Sequence, residues 1–277
     1  RRTTHLPKGH PPSPPPSILS AMSPRLAFAI ETAFRAGRST LAHFQTGAAV
    51  ETKTDATPVT IADKNAERMI REAIAAQYPS EHILGEEEGG DRSRPDRWVI
   101  DPIDGTKAFI SGVPLYSTLL SYEVDFEPVV GICYFPGLDE MIYAEKGGGA
   151  FFNGRSCRVS QKETMKGGVI SFCGPKRLRD QGLLDGVLTL ADRALDNRTW
   201  NDAYGHALVA TGRIEAMLDP AVSLWDVSAL TLIVAEAGGR VSSRTGGSPL
   251  AAREDGSHDL FSTNGLIHDE VLAALAG

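Results

Sequence analysis

The chain has 277 residues, 42% of them hydrophobic, enough to fill a substantial core, and carries a formal charge of -7. That charge argues against nucleic acid as a partner, because polyanion binding relies on clustered Lys and Arg. No apolar run approaches the roughly 18 residues of a membrane span, and the start of the sequence lacks the apolar stretch of a leader despite Arg1-Arg2, so a cytoplasmic protein with no membrane contact is expected. Residues 1–22 contain Pro11, Pro12, Pro14, Pro15 and Pro16 with little apolar content and read as a disordered tail outside the fold. From Pro24, the apolar positions Leu26, Ile30, Ala33, Phe34, Leu41 and Phe44 recur at helical spacing. Thr60 opens a second helix with the stripe Ala66, Met69, Ile70, Ala73 and Ile74, ended by Pro79. Strands are expected at about 81–85, 97–101, 116–124, 128–134, 139–145 and 150–152, joined by turn signals tight enough to imply antiparallel pairing. Beyond Ser160, short strands alternate with helices: a strand at Gly168–Phe172, a helix near 203–212, a strand near 214–219, and a helix after Trp225 that stops at Gly238-Gly239. The expected organisation is therefore an N-terminal α+β half at 23–160 and a C-terminal α/β half at 161–277. Cys133, Cys157 and Cys173 are widely spaced, without a Cys-x-x-Cys, and read as thiols rather than disulfides or a zinc site.

The chemistry gathers in Trp98-Val-Ile-Asp101-Pro-Ile-Asp104-Gly-Thr106, where a short apolar strand runs into two carboxylates, then a Gly and a Thr. Gly105 permits close backbone approach, and the N–H groups of Gly105 and Thr106 would open a helix through Phe109 as an anion site. Alone, the segment is better read as an ordinary Asp-Gly turn, a balance that two carboxylates with no neighbouring base except Lys107 shift. Phosphatases of the haloacid dehalogenase type need a nucleophilic Asp two residues before the Asp of Asp-Gly-Thr; that position is Pro102, which leaves a metal-activated water as the nucleophile. An acidic chain that binds a phosphate ester also needs a cation to reverse the local field. Gly85-Glu86-Glu87-Glu88 places carboxylates directly after an apolar strand, although such runs are usually solvated loops. Asp226, after Leu224-Trp225, suits a ligand or a helix cap equally, and Thr60 with Asp63 has capping-box spacing. Lys53 and Asp55 lie in a polar loop. Hard oxygen ligands from separate strands suit magnesium better than zinc.

In order along the chain, Lys53-x-Asp55-x-x-x-Val59-Thr60-x-x-Asp63, Gly85-Glu86-Glu87, Trp98 to Thr106, Trp225-Asp226-Val-x-Ala229 and Glu236-Ala-Gly-Gly239 resemble the inositol monophosphatase family. The resemblance covers most of the chain after the tail. It implies a layered α/β/α/β/α sandwich, a homodimer, and two or three magnesium ions per site held by Glu86, Asp101, the Ile103 carbonyl, Asp104 and Asp226. It implies further that Asp63 and Thr106 orient and deprotonate the attacking water, that Gly105 and Thr106 amides hold the phosphate, and that Lys53 is a supporting charge. The partner is then a small phosphate monoester. Lys107, which the nucleotide branch shares, the segment Ser111–Leu120, and Arg198-Thr-Trp200-Asn-Asp202-Ala-Tyr204-Gly205-His206 are similar to the histidinol-phosphate branch, whose stretch reads Trp-Gly-Asp-x-Tyr-Gly; Asn201 departs from it. Histidinol phosphate carries an ammonium and an imidazole, which Asp202 and Asp219 would meet, with Trp200 and Asp104 completing the substrate contacts. Asp202 as a helix cap, with Trp200 and Tyr204 in the core, is the plainer alternative. The expected activity is magnesium-dependent histidinol-phosphate hydrolysis, with an inositol-1-phosphate or broad sugar-phosphate phosphatase second and a noncatalytic phosphate-ligand binder a remote third.

Overall fold

The computed structural model describes residues 22–47, 50–52 and 58–276; the tail other than Met22, together with Lys53 and Asp55, lies outside the described residues. Helix α1 (Pro24–Thr40) begins with Pro24 in its first turn and the Ser23 hydroxyl accepting the Leu26 N–H at 3.1 Å. A short hairpin, β1 (Val50–Thr52) and β2 (Pro58–Thr60), leads into α2 (Ile61–Gln77). Thr60 caps α2, and its N–H and hydroxyl donate to Asp63 Oδ2 at 2.8 and 2.6 Å.

Next come β3 (His82–Gly85), β4 (Arg97–Asp104), α3 (Thr106–Ile110), β5 (Ser117–Val124), β6 (Glu127–Phe135), β7 (Glu140–Glu145), β8 (Gly149–Phe152) and β9 (Arg155–Cys157). The strands form a seven-stranded sheet in chain order. From β4 to β9 the pairs are antiparallel, but β3 runs parallel to β4, with His82 opposite Arg97. The expected antiparallel pairing therefore fails at this first pair. Residues 86–96 carry the chain back along the sheet, and only a turn of about two to five residues enforces a hairpin.

The remaining elements are β10 (Val169–Phe172), α4 (Pro175–Asp180), α5 (Leu184–Arg193), β11 (Asp196–Arg198), α6 (Asp202–Ala210), β12 (Ala216–Val222), α7 (Leu224–Glu236), β13 (Arg240–Ser242), β14 (His258–Thr263) and α8 (His268–Leu275). They build a second sheet in the order β11-β10-β12-β14-β13, in which β10 is parallel to β11 and β12 while β14 is antiparallel to β12 and β13.

Strand alternation explains the layering. Leu120 and Ile132 face α1 and α2, joining Leu26, Ala33, Ile70 and Trp98 in one core. Their neighbours Leu119 and Cys133 face the opposite way, into a central core with Ala207, Ile233, Met217 and Leu260. On the second sheet, Leu218 and Phe261 point outward onto Val187, Leu190 and Val271. The order is thus helices α1/α2, first sheet, helices α6/α7, second sheet, helices α5/α8, the expected α/β/α/β/α sandwich.

Candidate active site

The site forms where β4 ends. Residues three apart on a regular strand point to opposite faces, yet Asp101 and Asp104 belong to one cluster. The cause is a bulge. Asp101 pairs with Leu119 and Asp104 with Ser117, so β4 carries one extra residue there, which resets the alternation. Thr118 Oγ1 donates to the Pro102 carbonyl at 2.8 Å and holds the bulge. Gly105 then turns the chain at φ 80°, a left-handed conformation that favours glycine, and α3 begins at Thr106. The Thr106 hydroxyl donates to the Ile103 carbonyl at 3.2 Å.

Two further carboxylates arrive on helix N-termini. Asp226 is the third residue of α7, and its Oδ2 accepts the Ser223 N–H at 2.8 Å in a capping box. Asp63 holds the same position in α2; its Oδ1 is buried and, among the described residues, has no hydrogen-bond partner. Oxygen atoms of Asp101, Asp104 and Asp226 all lie within 4.8 Å of one another, and Asp101 Oδ1 is also buried without a partner among the described residues. Glu86, immediately after β3, lines the same cleft.

Burial, followed by the charges of Glu86, Asp226 and Asp104, pushes Asp101 well above the usual carboxylate range. Burial, then Asp202 and Asp226, does the same to Asp104 against an opposing hydrogen bond from the Ala203 N–H. Asp226 is pushed up to about 7 by burial, with the Ser223 N–H opposing and Glu86 adding to the rise. Asp63 is raised by burial, against its Thr60 bonds. These carboxylates repel one another. A buried oxygen without a partner, hard oxygen donors and no His or Cys in the cluster fit a divalent cation.

The cleft encloses about 850 Å³ between the sheet ends. Asp202 and Asp219 line it from α6 and β12, together with Lys107, Lys176 and Arg177. Asp219 accepts a hydrogen bond from Arg177 Nη1 at 2.8 Å, yet burial still pushes it up to about 7. Asp202 opens α6 rather than capping it, at φ 57°, and the Ala203 N–H behind it donates to Asp104 Oδ2 at 2.8 Å. The helix that carries Asp202 is therefore bonded directly to the acidic cluster. Trp200 is half-buried against the central core rather than among the cleft-lining residues, and Lys53 lies outside the described residues. Cys173 also lines the cleft, but burial, with Asp219 adding to it, holds its thiol up at about 12, so it is no nucleophile at neutral pH.

Sequence reading missed Arg177 and the Ala203 N–H. Arg177 had a signal, since Gly174-Pro175 opens a helix after β10 much as Gly105 does after β4. A backbone N–H carries none.

The model of the inositol monophosphatase family matches residues 21–276. A histidinol-phosphatase of Chlorobaculum parvum is 42% identical over 79% of this chain and 85% of its own. A fructose-1,6-bisphosphatase/inositol-1-monophosphatase of Thermotoga maritima is 36% identical over 90% of this chain and 94% of its own. Among solved structures, a Thermotoga maritima IMPase superposes with a TM-score of 0.82 at 33% identity, covering 92% of this chain and 97% of that one.

Proposed function

Because this chain belongs to the inositol monophosphatase family, we propose that it is a magnesium-dependent phosphomonoesterase that hydrolyses histidinol phosphate to histidinol and phosphate. The observation that carries the reading is the cluster of Asp101, Asp104 and Asp226 beside the Gly105-Thr106 turn. Glu86, Asp101, the Ile103 carbonyl, Asp104 and Asp226 would hold magnesium, as two or three ions. When bound, magnesium supplies positive charge that lowers the pKa of water and offsets the charge of the ester.

Asp63 and Thr106 orient the attacking water. Asp63 Oδ2 is tied to Thr60, so Oδ1, which has no partner among the described residues, is the oxygen that takes the water's proton. The bond from the water oxygen to phosphorus forms as the bond to the histidinol oxygen breaks, the leaving oxygen takes a proton from solvent water, and Asp63 returns its own to solvent. Gly105 and Thr106 amides hold the phosphate oxygens, with Lys53 as a supporting charge. Asp202 and Asp219 receive the ammonium and imidazole, and Asp104 faces the same end of the substrate. Because Arg177 already engages Asp219, Asp202 is the more available of the two acceptors. Trp200 acts through the core, setting the entry to α6.

A second reading, an inositol-1-phosphate or broad sugar-phosphate phosphatase, is favoured by the Thermotoga maritima relative, and its broad form by Lys176 and Arg177 on the cleft wall, which the second phosphate of a sugar bisphosphate would meet. The deciding experiment measures phosphate release with and without magnesium from histidinol phosphate, inositol-1-phosphate, fructose-1,6-bisphosphate and adenosine-3′,5′-bisphosphate. Magnesium-dependent turnover with histidinol phosphate preferred is expected. Equal or better turnover of inositol phosphate promotes the second reading, and no turnover in either condition favours a noncatalytic binder. A homodimer, implied by the resemblance, belongs to the same proposal and is checked by sedimentation equilibrium.

A further inference from the structure

We propose that Glu67 is a positioning residue for Glu86: its buried carboxylate grips the backbone of the acidic loop after β3 and so sets the affinity of the site for divalent cations. Glu67 lies one helical turn after Asp63 on α2 and its side chain is 0% exposed. Its Oε2 accepts the Glu87 N–H at 2.7 Å and its Oε1 the Glu88 N–H at 3.0 Å. Arg71, one turn further on, donates Nε to Glu67 Oε1 at 2.8 Å and Nη2 to the Gly89 carbonyl at 2.5 Å.

On its other side, the Glu86 N–H donates to the Ile100 carbonyl of β4 at 3.1 Å, and the Gly85 N–H donates to the Gly89 carbonyl at 3.0 Å. Glu86 is thus clamped between the strand that carries Asp101 and a carboxylate beneath the loop. A Cβ on Gly85 would lie 2.1 Å from Glu67 Oε1, so the strand end is shaped to admit this carboxylate.

A plain helix-surface ion pair does not account for the arrangement. An i,i+4 pair needs no burial, whereas here a carboxylate is desolvated beside the acidic run Glu86-Glu87-Glu88. Charge-assisted bonds from two N–H groups and Arg71 compensate that cost only while the loop keeps this shape. The return on that shape is a stationary Glu86 Cα.

The proposal rests on Glu86 being a metal ligand, and the experiment separates the two. Magnesium chloride is titrated calorimetrically into the metal-free full chain as parent, Glu67→Gln, Glu86→Gln and Arg71→Gln, with melting temperatures and the magnesium dependence of phosphate release measured alongside. Glu67→Gln is expected to weaken magnesium binding about tenfold or more, the effect typical of removing a ligand's supporting partner. Its kcat at saturating magnesium should stay within about threefold of the parent, since the reacting groups are intact. A lowered melting temperature with parental magnesium affinity would overturn the proposal and leave Glu67 a fold residue. Weak binding by Glu86→Gln with normal binding by Glu67→Gln overturns only this inference; normal binding by Glu86→Gln overturns the ligand reading beneath it. Should Glu67→Gln fail to fold, Arg71→Gln, which loosens the same clamp, must itself weaken binding, and unchanged affinity there overturns the proposal.

Discussion

Asp63 and Asp226 perform the same double duty on two different helices. Each is the third residue of a capping box and spends Oδ2 on the N–H of its cap residue, at 2.8 Å in both cases. The second oxygen is then presented in a direction the helix itself fixes. Cap and site role, alternatives when read from sequence, are compatible because a carboxylate has two oxygens. Asp104 is different: its Oδ2 accepts the Ala203 N–H at 2.8 Å, and burial, then Asp202 and Asp226, disfavours its charge. Asp104→Asn keeps an acceptor for Ala203 and removes the unfavourable charge. Phosphate release should fall about a hundredfold or more, while the metal-free protein melts no lower than the parent. A lower melting temperature would mean that Asp104 holds the fold. Asp202→Asn keeps the shape of a residue at φ 57° and deletes its charge. It should raise KM for histidinol phosphate about tenfold, the worth of one charge-assisted hydrogen bond, and leave inositol-1-phosphate little changed. Equal losses on both substrates would assign Asp202 to the fold.

At the scale of elements, what the sequence made legible was local. Pro24, Thr60-x-x-Asp63 and Gly238-Gly239 act within one or two turns, so the starts of α1 and α2 and the end of α7 follow from neighbouring residues. The ordered motifs also pointed to the acidic cluster, since Asp101 and Asp104 share one strand end and Asp226 one cap. Bonds between distant elements were not legible. The Ala203 N–H meets Asp104 across 99 positions and Arg177 meets Asp219 across 42, and neither pairing leaves a periodic trace. The parallel β3–β4 pair escaped because a connection constrains strand direction only when it is short. Capping links an element's stability to the site. Thr60→Ala removes the acceptor for the Ala62 N–H at 3.1 Å and the hydroxyl donor to Asp63. Urea unfolding should show a loss of about 1 kcal/mol. Turnover should fall more than that loss of stability explains, because Asp63 becomes free to rotate; unchanged turnover would separate cap from chemistry.

Over the whole molecule, the central layer ties the two sheets together, with α7 packed against strands of both. Within that layer the only basic ring of α6, His206, is 1% exposed and shares a hydrogen bond of 2.8 Å between its Nδ1 and Ser262 Oγ of β14. Burial pushes its pKa down to about 3 from an ordinary 6.5. The folded protein therefore keeps His206 neutral where the unfolded chain takes up a proton. Its contribution is complete above about pH 6.5 and is lost as pH falls toward the folded value. Other groups titrate over the same range, including Asp219, whose raised pKa acts in the opposite direction, so the effect is read as a difference. Unfolding free energies of the parent and of His206→Gln, measured between pH 7 and pH 5 in the same buffer, should differ by a gap that shrinks by about 2 kcal/mol on acidification, because only the parent must exclude that proton. A gap independent of pH would show that His206 is charged, or solvated, inside the layer between the two sheets.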